Sequence, residues 1–300
     1  MVKDEPFTEM YKPDAKVVKA SELSADGLSV ASEDPNTKVV HEHTFSDGKK
    51  MTYTTIDGLV VDGDIMVGEQ KELEKMIREY EDHLANGGIS TQGAMRSEGC
   101  TFWLLYCFGP YGYTWPIKNG DYIINYETIP NTFSSYERRK IVEAMIHIQS
   151  RTQRPGRRKI RFRLSNSGDR LRFVKDNNGT CSSYIGWQGG AQTVRLTSDC
   201  FNGINGYGTV VHELGHALGM IHEHQRLDRD AYVKVTGGDD SNILKRYPTS
   251  TKTTYDYTSI MHYFFIRNTL EPTSKWDRVN GPQRNALTTK DVEAIWQRYK

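Results

Sequence analysis

The hydrophobic and polar positions of the first hundred residues predict one region of strands and one helix. Residues 1–50 are rich in charged and small polar side chains without a sustained period, which predicts loops and short extended pieces. Residues 51–67 have the composition of strands around a turn. The segment GEQKELEKMIREYEDHLANGG then predicts a helix, because it spaces apolar residues three or four apart and ends in glycines. Those apolar residues are Leu73, Met76, Ile77, Tyr80 and Leu84.

From about Trp115 the pattern becomes that of a compact domain. SSYERRKIVEAMIHIQSRT predicts an amphipathic helix that begins at Ser134 or Ser135. KIRFRLSN alternates as a half-buried strand does, GGAQTVRLTS predicts a second strand, and LTTKDVEAIWQRYK predicts a final helix in which Thr288 and Asp291 form a capping box. The broad apolar face of the first of these helices is predicted to consist of Ile141, Val142, Met145, Ile146 and Ile148.

One short stretch departs from both kinds of pattern. VVDGDIMVG, residues 60–68, carries Asp62 and Asp64 on either side of Gly63 within an otherwise apolar run. A strand through a core would not carry two acids there, and an ordinary surface turn would not be framed by so many apolar residues. The stretch indicates a carboxylate that is held in place for a purpose, or else a β-turn with two acids that face the solvent.

The charge of the chain is divided unevenly. The 300 residues have a formal net charge of +1, but residues 1–97 hold 19 acids and 11 bases, and residues 98–300 hold 19 acids and 28 bases. Either an acidic solvated tail precedes a basic domain, or the two parts attract each other. We do not expect nucleic-acid binding, because the basic residues are scattered along the sequence rather than gathered in one stripe.

Cysteine spacing and apolar runs limit the possible classes of protein. The four cysteines lack C-x-x-C spacing, which argues against a cysteine zinc site. No stretch has the ~20 apolar residues that a membrane-spanning helix requires, and the N-terminal residues lack the apolar core of a signal peptide.

The candidate chemistry lies in the string HELGHALGMIH. His212 and His216 are four residues apart on a predicted helix, so their imidazoles lie on one face and can bind one ion. Gly219 lets the chain leave the helix sharply and bring His222 round as a third ligand. Three neutral imidazoles leave a zinc ion one open position for water, and Glu213 is placed to act on that water as a general base.

The remaining histidines carry less information. A lone pair of histidines on a helix would be a satisfied surface pair, so only the complete string favours a catalytic site. We expect His224 to point elsewhere and His147 to be an ordinary helix residue, and we assign no role to His41, His43 or His83.

The string and the residues after it resemble a known family. H-E-x-x-H-x-x-G-x-x-H is typical of the metzincin metallopeptidases, and HEHQRLDRDAYV followed by SIMHY resembles the astacin family within them. The resemblance covers residues 114–300. It implies that Met261 forms the methionine turn beneath the metal and that Tyr263 is an additional zinc ligand, which swings away and supports catalysis.

The same resemblance implies further contacts of the domain. CSSYIGWQGGAQTVRLTSDC is similar to the family's disulfide-closed segment, which implies a Cys181–Cys200 bond. Glu223 matches a residue that meets the new N-terminus after activation. The strand near Gln192 is similar to the family's edge strand, which pairs with an extended substrate. This predicted substrate-binding strand consists of Gln192, Thr193, Val194, Arg195 and Leu196.

The chain also departs from the family pattern. Both cysteines of the second disulfide that astacins usually have are missing, while Cys100 and Cys107 are additional and lie before the domain. They bond to each other, or one is a free thiol.

The resemblance gives the stretch VVDGDIMVG an interpretation. Astacin prosegments carry Gly-Asp between apolar residues, and Asp64 matches the aspartate that occupies the catalytic zinc in the latent form. A carboxylate can displace the attacking water, and Gly63 allows a close approach of the backbone. Asp62 is the less favoured candidate for this role, and we interpret Arg226, Asp228 and Asp230 as a structural ion-pair network.

The resemblance implies an α+β, zincin-like catalytic domain over residues 114–300, with two subdomains. We expect a twisted, mostly parallel sheet with an antiparallel edge strand, two long helices and an irregular C-terminal subdomain. A largely irregular prosegment with one helix occupies residues 1–113, and its activation linker includes Arg96 as a possible cleavage point.

The predicted function is that of a zinc endopeptidase with one catalytic Zn²⁺. Its substrates are proteins or peptides, and its own prosegment inhibits it until an activating protease or self-processing removes that segment. The alternatives are an intracellular or injected protease effector and a zinc-stabilised binding module without catalysis. We expect secretion rather than an intracellular location, and neither nucleic-acid binding nor a membrane span.

Overall fold

The computed structural model describes residues 17–19, 37–46, 48, 50–85, 114–177, 180–236, 253–265, 269–273 and 281–300. The chain divides into two compact units. The first consists of Met1–Val61 and Gly68–Cys107, and the second of Asp62–Val67 and Phe108–Lys300. Among the described helices, none is long and apolar enough to span a membrane.

The first unit contains an antiparallel ladder and a helix. Its strands are β1 (Val17–Lys19), β2 (Lys38–Thr44), β3 (Lys50–Ile56) and β4 (Leu59–Asp62), and its helix α1 is Gln70–Ala85. Strand β1 pairs with β2 in parallel, whereas β2 with β3 and β3 with β4 are antiparallel. The helix predicted from the apolar period is present, and Leu73 and Ile77 are buried in it.

Strand β2 is more regular than the sequence pattern of residues 1–50 suggested. Its inward positions alternate between apolar and polar side chains, because Val39 is buried and so is His41. His41 forms a hydrogen bond through Nε2 with Thr55 Oγ1 at 2.8 Å, and its ring stacks on Tyr53 with centroids 4.5 Å apart. A satisfied histidine thus occupies a core position, and this position interrupts the apolar alternation on which strand prediction depends.

The second unit is built on a mixed sheet. The strands are β5 (Ile65–Glu69), β6 (Ile117–Lys118), β7 (Asp121–Tyr126), β8 (Ile160–Leu164), β9 (Arg170–Lys175), β10 (Ser182–Tyr184) and β11 (Ala191–Leu196). Neighbouring strands follow the order β5, β10, β11, β9, β7 and β6, and β8 also pairs with β7. The pairs β7–β8, β7–β9, β9–β11 and β5–β10 are parallel, whereas β10–β11 and β6–β7 are antiparallel.

Helices α2 (Ser135–Arg151) and α3 (Gly208–Ala217) share one hydrophobic core with this sheet. Ser134 caps α2 and forms a capping box with Glu137. Of the two serines expected at the start of this helix, Ser134 is therefore the cap. The apolar face of α2 is narrower than the sequence suggested, because Val142 and Ile146 are 36% and 54% exposed. They lie beside the stripe of buried residues Ile141, Met145 and Ile148, on the side away from the core.

The C-terminal part closes the second unit. It contains the short antiparallel pair β12 (Val233–Val235) and β13 (Leu270–Pro272), and helix α4 (Thr289–Arg298). Thr288 and Asp291 form the predicted capping box of α4. A disulfide joins Cys181 to Cys200, as the resemblance implied.

Candidate metal centre

Helix α3 is buried along its whole length, and its glycines explain how the histidines are placed. Gly215 lies directly against the methionine turn, because a Cβ added there would lie 2.7 Å from Met261 Sδ. Gly219, with φ +90°, turns the chain after the helix and brings back His222. The side chains of His212, His216 and His222 are all buried.

The three imidazoles are oriented by acceptors on their Nδ1 atoms. His212 Nδ1 donates to the carbonyl oxygen of Ile260 at 2.7 Å, His216 Nδ1 to that of Met220 at 2.9 Å, and His222 Nδ1 to the amide oxygen of Gln225 at 3.1 Å. These oxygens only accept, so each Nδ1 carries the proton and each Nε2 presents a lone pair.

These lone pairs point at one another. His216 Nε2 and His222 Nε2 are 3.2 Å apart, although neither has a proton to donate. Burial lowers the pKa of His212 to about 3 and also lowers that of His222, so burial disfavours the protonated form of both side chains. A cation between the nitrogen atoms relieves the repulsion between their lone pairs, and three neutral imidazoles are a donor set that zinc binds well.

A carboxylate completes the cluster. Asp64 Oδ2 lies 3.0 Å from His212 Nε2, and Asp64 Oδ1 lies 2.9 Å from His222 Nε2 and 3.7 Å from His216 Nε2. The four ligand atoms lie within 4.8 Å of one another. Because the Nε2 atoms carry no proton, the carboxylate oxygens face their lone pairs, and a cation bound among these atoms would hold Asp64 in its charged form.

The chain places Asp64 through its backbone. Gly63 takes φ +66° in the turn between β4 and β5, and the Ser183 amide donates to the Asp64 carbonyl oxygen at 3.1 Å. Strand β5 then runs parallel to β10, where Ile65 pairs with Ser183 and Met66 pairs with Tyr184. Two of the apolar side chains of β5, Ile65 and Met66, are each 2% exposed.

The family model of the astacins, a peptidase family, matches residues 113–300. The chain belongs to the astacin family. It is similar to zinc metalloproteinase nas-13 of Caenorhabditis elegans, with 31% identity over 72% of this chain and 49% of that protein. It is also similar to nas-17 of the same organism, with 37% identity over 44% of this chain and 30% of that protein.

A solved structure supports the same assignment. High choriolytic enzyme 1, a hatching enzyme zinc-protease of the medaka fish Oryzias latipes, superimposes with a TM-score of 0.50 at 31% identity. The match covers 61% of this chain and 92% of that chain. It confirms the zincin-like α+β fold, and the astacin family implies zinc for the histidine cluster. This chain spans about half or less of the length of the two nematode relatives.

In this astacin, Glu213 is a buried acid beside the cluster. Its exposed fraction is 1%, and its Oε2 atom has no hydrogen-bond partner among the described residues. Burial, reinforced by the charge of Asp64, raises its pKa well above the usual range. A buried carboxylate oxygen without a partner is costly, which is typical of a group retained for chemistry.

Tyr263 also contacts the cluster. Its hydroxyl donates to Asp64 Oδ1 at 3.1 Å, and burial together with Asp64 raises its pKa well above the usual range. Its ring centroid is 4.4 Å from that of His222, and its amide donates to His224 Nδ1 at 3.4 Å. His224 is not one of the four residues whose ligand atoms converge, as expected.

Sequence reasoning missed three polar residues around the site. Gln225 orients His222; His262 accepts from the Tyr255 hydroxyl at 2.7 Å and donates to the Tyr263 carbonyl at 2.6 Å. Arg284 donates to the carbonyl of His262 at 2.8 Å, and its charge acts on the acids of the site. The spacing rules that identify metal ligands carry no signal for these supporting residues.

The prediction that residues 192–196 form an edge strand for substrate is wrong about the position of this strand in the sheet. Residues 192–196 belong to β11, which pairs with β9 on one side and with β10 on the other, so it is not an edge. Without β5, the strand with a free edge beside the histidines would be β10, and β5 now pairs with that edge. Backbone groups of β11 already bonded to two strands cannot accept a third.

The expected ion-pair network consists of two separate groups. Arg226 binds Asp228 at 2.8 Å and Glu223 at 3.0 Å, whereas Asp230 pairs with Arg229 at 3.2 Å. Burial raises the pKa of Glu223 to about 7 despite the neighbouring Arg226. Its contact with a new N-terminus stays a prediction.

His147 is more than an ordinary helix residue, since its Nε2 accepts from the Leu287 amide at 3.1 Å. Arg96, Cys100, Cys107 and the activation linker lie outside the described residues. The boundary at residue 113 also stays a prediction.

Proposed function

We propose that this astacin is a zinc-dependent endopeptidase that hydrolyses peptide bonds of proteins, and that residues 62–67 keep it latent. The supporting observation is the convergence of three unprotonated Nε2 atoms beside a buried acid. A binding module that used zinc only for stability would have no use for Glu213, because a buried carboxylate oxygen without a partner in the described part of the chain only costs stability there.

The residues that would hold zinc are His212, His216 and His222, joined by Tyr263 and, in the latent form, by Asp64. When bound, zinc polarises the scissile carbonyl and makes a water molecule a stronger nucleophile. Glu213 accepts the proton of that water on its carboxylate and passes it to the leaving amine. Besides burial, the charge of Asp64 contributes to the raised pKa of Glu213, so the departure of Asp64 on activation favours the ionised carboxylate that the first step requires.

Tyr263 has a second role in this proposal. In the latent form its hydroxyl donates to Asp64. Once Asp64 leaves, the same donor becomes available for the oxyanion that develops on the substrate carbonyl. The contacts of His224 and His262 with the backbone of Tyr263 would hold the residue in position while its side chain changes partner.

Latency follows from two contacts of the same segment. Asp64 takes the ligand position, and Ile65 and Met66 pair with the strand edge that an extended substrate would use. A substrate can enter only after this segment has left. Cleavage by an activating protease or by another copy of the enzyme would remove it.

We also propose that the enzyme works outside the cytosol. The Cys181–Cys200 disulfide supports this, because such bonds persist in oxidising compartments and are rare in the cytosol. The alternative of an intracellular effector would require this bond to be absent in the cell.

The decisive experiment compares three variants after limited proteolysis of the purified chain. Glu213→Gln should abolish casein hydrolysis while zinc stays near one ion per chain, because the residue acts on water and not on the metal. His216→Ala should lose the zinc, measured by atomic absorption. Glu293→Gln, an exposed acid of α4, is the matched control and should change neither quantity.

Two results would contradict the proposal. If Glu213→Gln hydrolysed casein at the parent rate, Glu213 could not be the general base. A parent chain that binds zinc but cleaves nothing after removal of the prosegment would favour the binding module.

A further inference from the structure

We propose that the outer face of the catalytic sheet binds a linear sulfated polysaccharide. This surface, the arginine face, consists of Arg161 and Arg163 on β8 and Arg170 and Arg172 on β9. It is separate from the metal centre, so its function does not depend on catalysis.

The local charge density is high. Residues 151–175 contain ten arginines and lysines but only one acid, Asp169. That acid accepts a hydrogen bond at 2.8 Å from the amide of Gly190, which lies in the loop between β10 and β11. Although basic residues occur along the whole sequence, residues 151–175 form one segment in which they are concentrated.

Strand register gathers the arginines on one side. Asn125 of β7 pairs with Arg163 on one neighbour and with Arg170 on the other, so all three side chains lie in one row across the sheet. Arg161 and Arg172 lie two residues away along their strands and therefore on the same face. The opposite face carries the buried side chains Leu171 and Phe173 of the core.

The arginine face retains positive charge after its internal ion pairs are counted. Asp121 pairs with Arg161, and Glu127 is shared by Arg170 and Arg172 at 2.8 Å each. Arg163 is exposed and donates to the neutral amide of Asn125 at 3.2 Å. Four guanidinium groups thus face two carboxylates, and the exposed Arg157 and Arg158 extend the surface at the adjoining turn.

The chemistry of the surface selects the class of partner. Guanidinium forks bind tetrahedral anions such as sulfate bidentately, and strands hold them in fixed positions. Single-stranded nucleic acid would require exposed aromatic rings for its bases, but Phe162 packs against the core and Phe173 is buried. The arginine face is built from strands and offers no helix to enter a major groove. A chain of repeating sulfates fits these features best.

The experiment measures binding of a fluorescein-labelled heparin fragment to the uncut chain by fluorescence anisotropy. Arg163→Gln/Arg172→Gln removes two charges from the arginine face, and Arg170 remains to pair with Glu127. Arg139→Gln/Lys234→Gln is the matched control, because both residues are exposed, lie elsewhere and change the net charge equally. Thermal unfolding of both variants is measured to check that they are folded.

We expect the first variant to bind about tenfold more weakly and the control to bind within twofold of the parent. The slope of log K against log salt concentration should fall by about two, because two fewer counterions are released. Equal loss in both variants would reduce the effect to net charge and overturn the proposal. Equal affinity for desulfated heparin, or tighter binding of a DNA duplex, would overturn the assignment to sulfate.

Discussion

Replacement of Asp64 by alanine in the uncut chain tests the latency mechanism most directly. The change removes the carboxylate that lies 2.9 and 3.0 Å from two imidazole nitrogens and accepts the Tyr263 hydroxyl at 3.1 Å. It leaves the backbone pairing of β5 with β10 intact. The free energy that holds the segment should therefore fall, and the segment should leave the strand edge more often.

The size of the effect depends on which interactions the substitution removes and which it leaves in place. A hydrogen bond to a charged group contributes about 1.5–3 kcal/mol, and the carboxylate makes one with Tyr263 and is also a ligand of the proposed cation. A combined destabilisation of about 3 kcal/mol corresponds to an opening constant about 10²-fold larger. Burial of Ile65 and Met66, each 2% exposed, stabilises the closed segment by about 1.5–3 kcal/mol per side chain and is retained. We therefore expect raised but incomplete activity.

The assay follows hydrolysis of a quenched fluorescent peptide by the uncut variant at nanomolar concentration. High dilution keeps cleavage of one chain by another slow, and mass spectrometry at the end confirms that the chain is still intact. Asp62→Ala, which changes the other acid of the same turn, is the control and should stay close to the parent. Activity after complete removal of the prosegment sets the upper limit.

An Asp64→Ala chain as silent as the parent, with a processed form of normal activity, would refute the reasoning, because the apolar contacts alone would then account for latency. Equal activation by Asp62→Ala would mean that the turn and not the ligand matters. A thiolate absorption band of the cobalt-substituted uncut chain would point to Cys100 or Cys107 as the ligand instead.

Three further predictions rest on single contacts. Tyr263→Phe should lower the turnover number of the processed enzyme about 10²-fold with zinc retained, as measured by steady-state kinetics and atomic absorption; unchanged turnover would leave Tyr263 a packing residue. Replacing Cys181 and Cys200 by alanine opens a loop with a sequence separation of 19, so calorimetry should show a free energy of unfolding lower by about 3 kcal/mol. An unchanged free energy of unfolding would mean that the bond does not form. Burial alone would raise the pKa of Glu137, but hydrogen bonds from Lys175 and Ser134 hold it below 4.5. The Tm deficit of Glu137→Gln should thus be present at pH 7 and shrink as the pH falls below about 4.5; a deficit that grows in acid would contradict this sign.

Local patterns predicted those parts of the fold that depend on local sequence. The capping boxes of α2 and α4 and the apolar period of α1 are each contained within one turn or one helix, so residues close in sequence determine them. Strand β2 depends instead on a partner fourteen residues away, since the buried His41 forms its hydrogen bond with Thr55 on the neighbouring strand. No single-strand pattern contains that information.

The candidate site divides in the same way. The spacing of His212, His216 and His222 on a helix and a glycine turn was sufficient to predict that they converge. The carbonyls of Ile260 and Met220, which fix the proton on the Nδ1 atoms of two of them, are backbone atoms that every residue has. Their role exists only in the folded chain, so no residue type indicates it.

The misplaced substrate strand has a similar physical cause. Residues 192–196 alternate buried and half-buried positions as a well-formed strand does, because one face of β11 packs on the core, and β11 has a paired strand on each side. The strand with the accessible edge, β10, has only three residues and carries no apolar alternation. An edge strand is short and polar for the same reason that it is available, since natural sheets limit long apolar edges to avoid pairing with other chains. A search for the best strand pattern therefore selects the interior strand, and the binding edge lies one strand further out, where the Asp64 segment is paired.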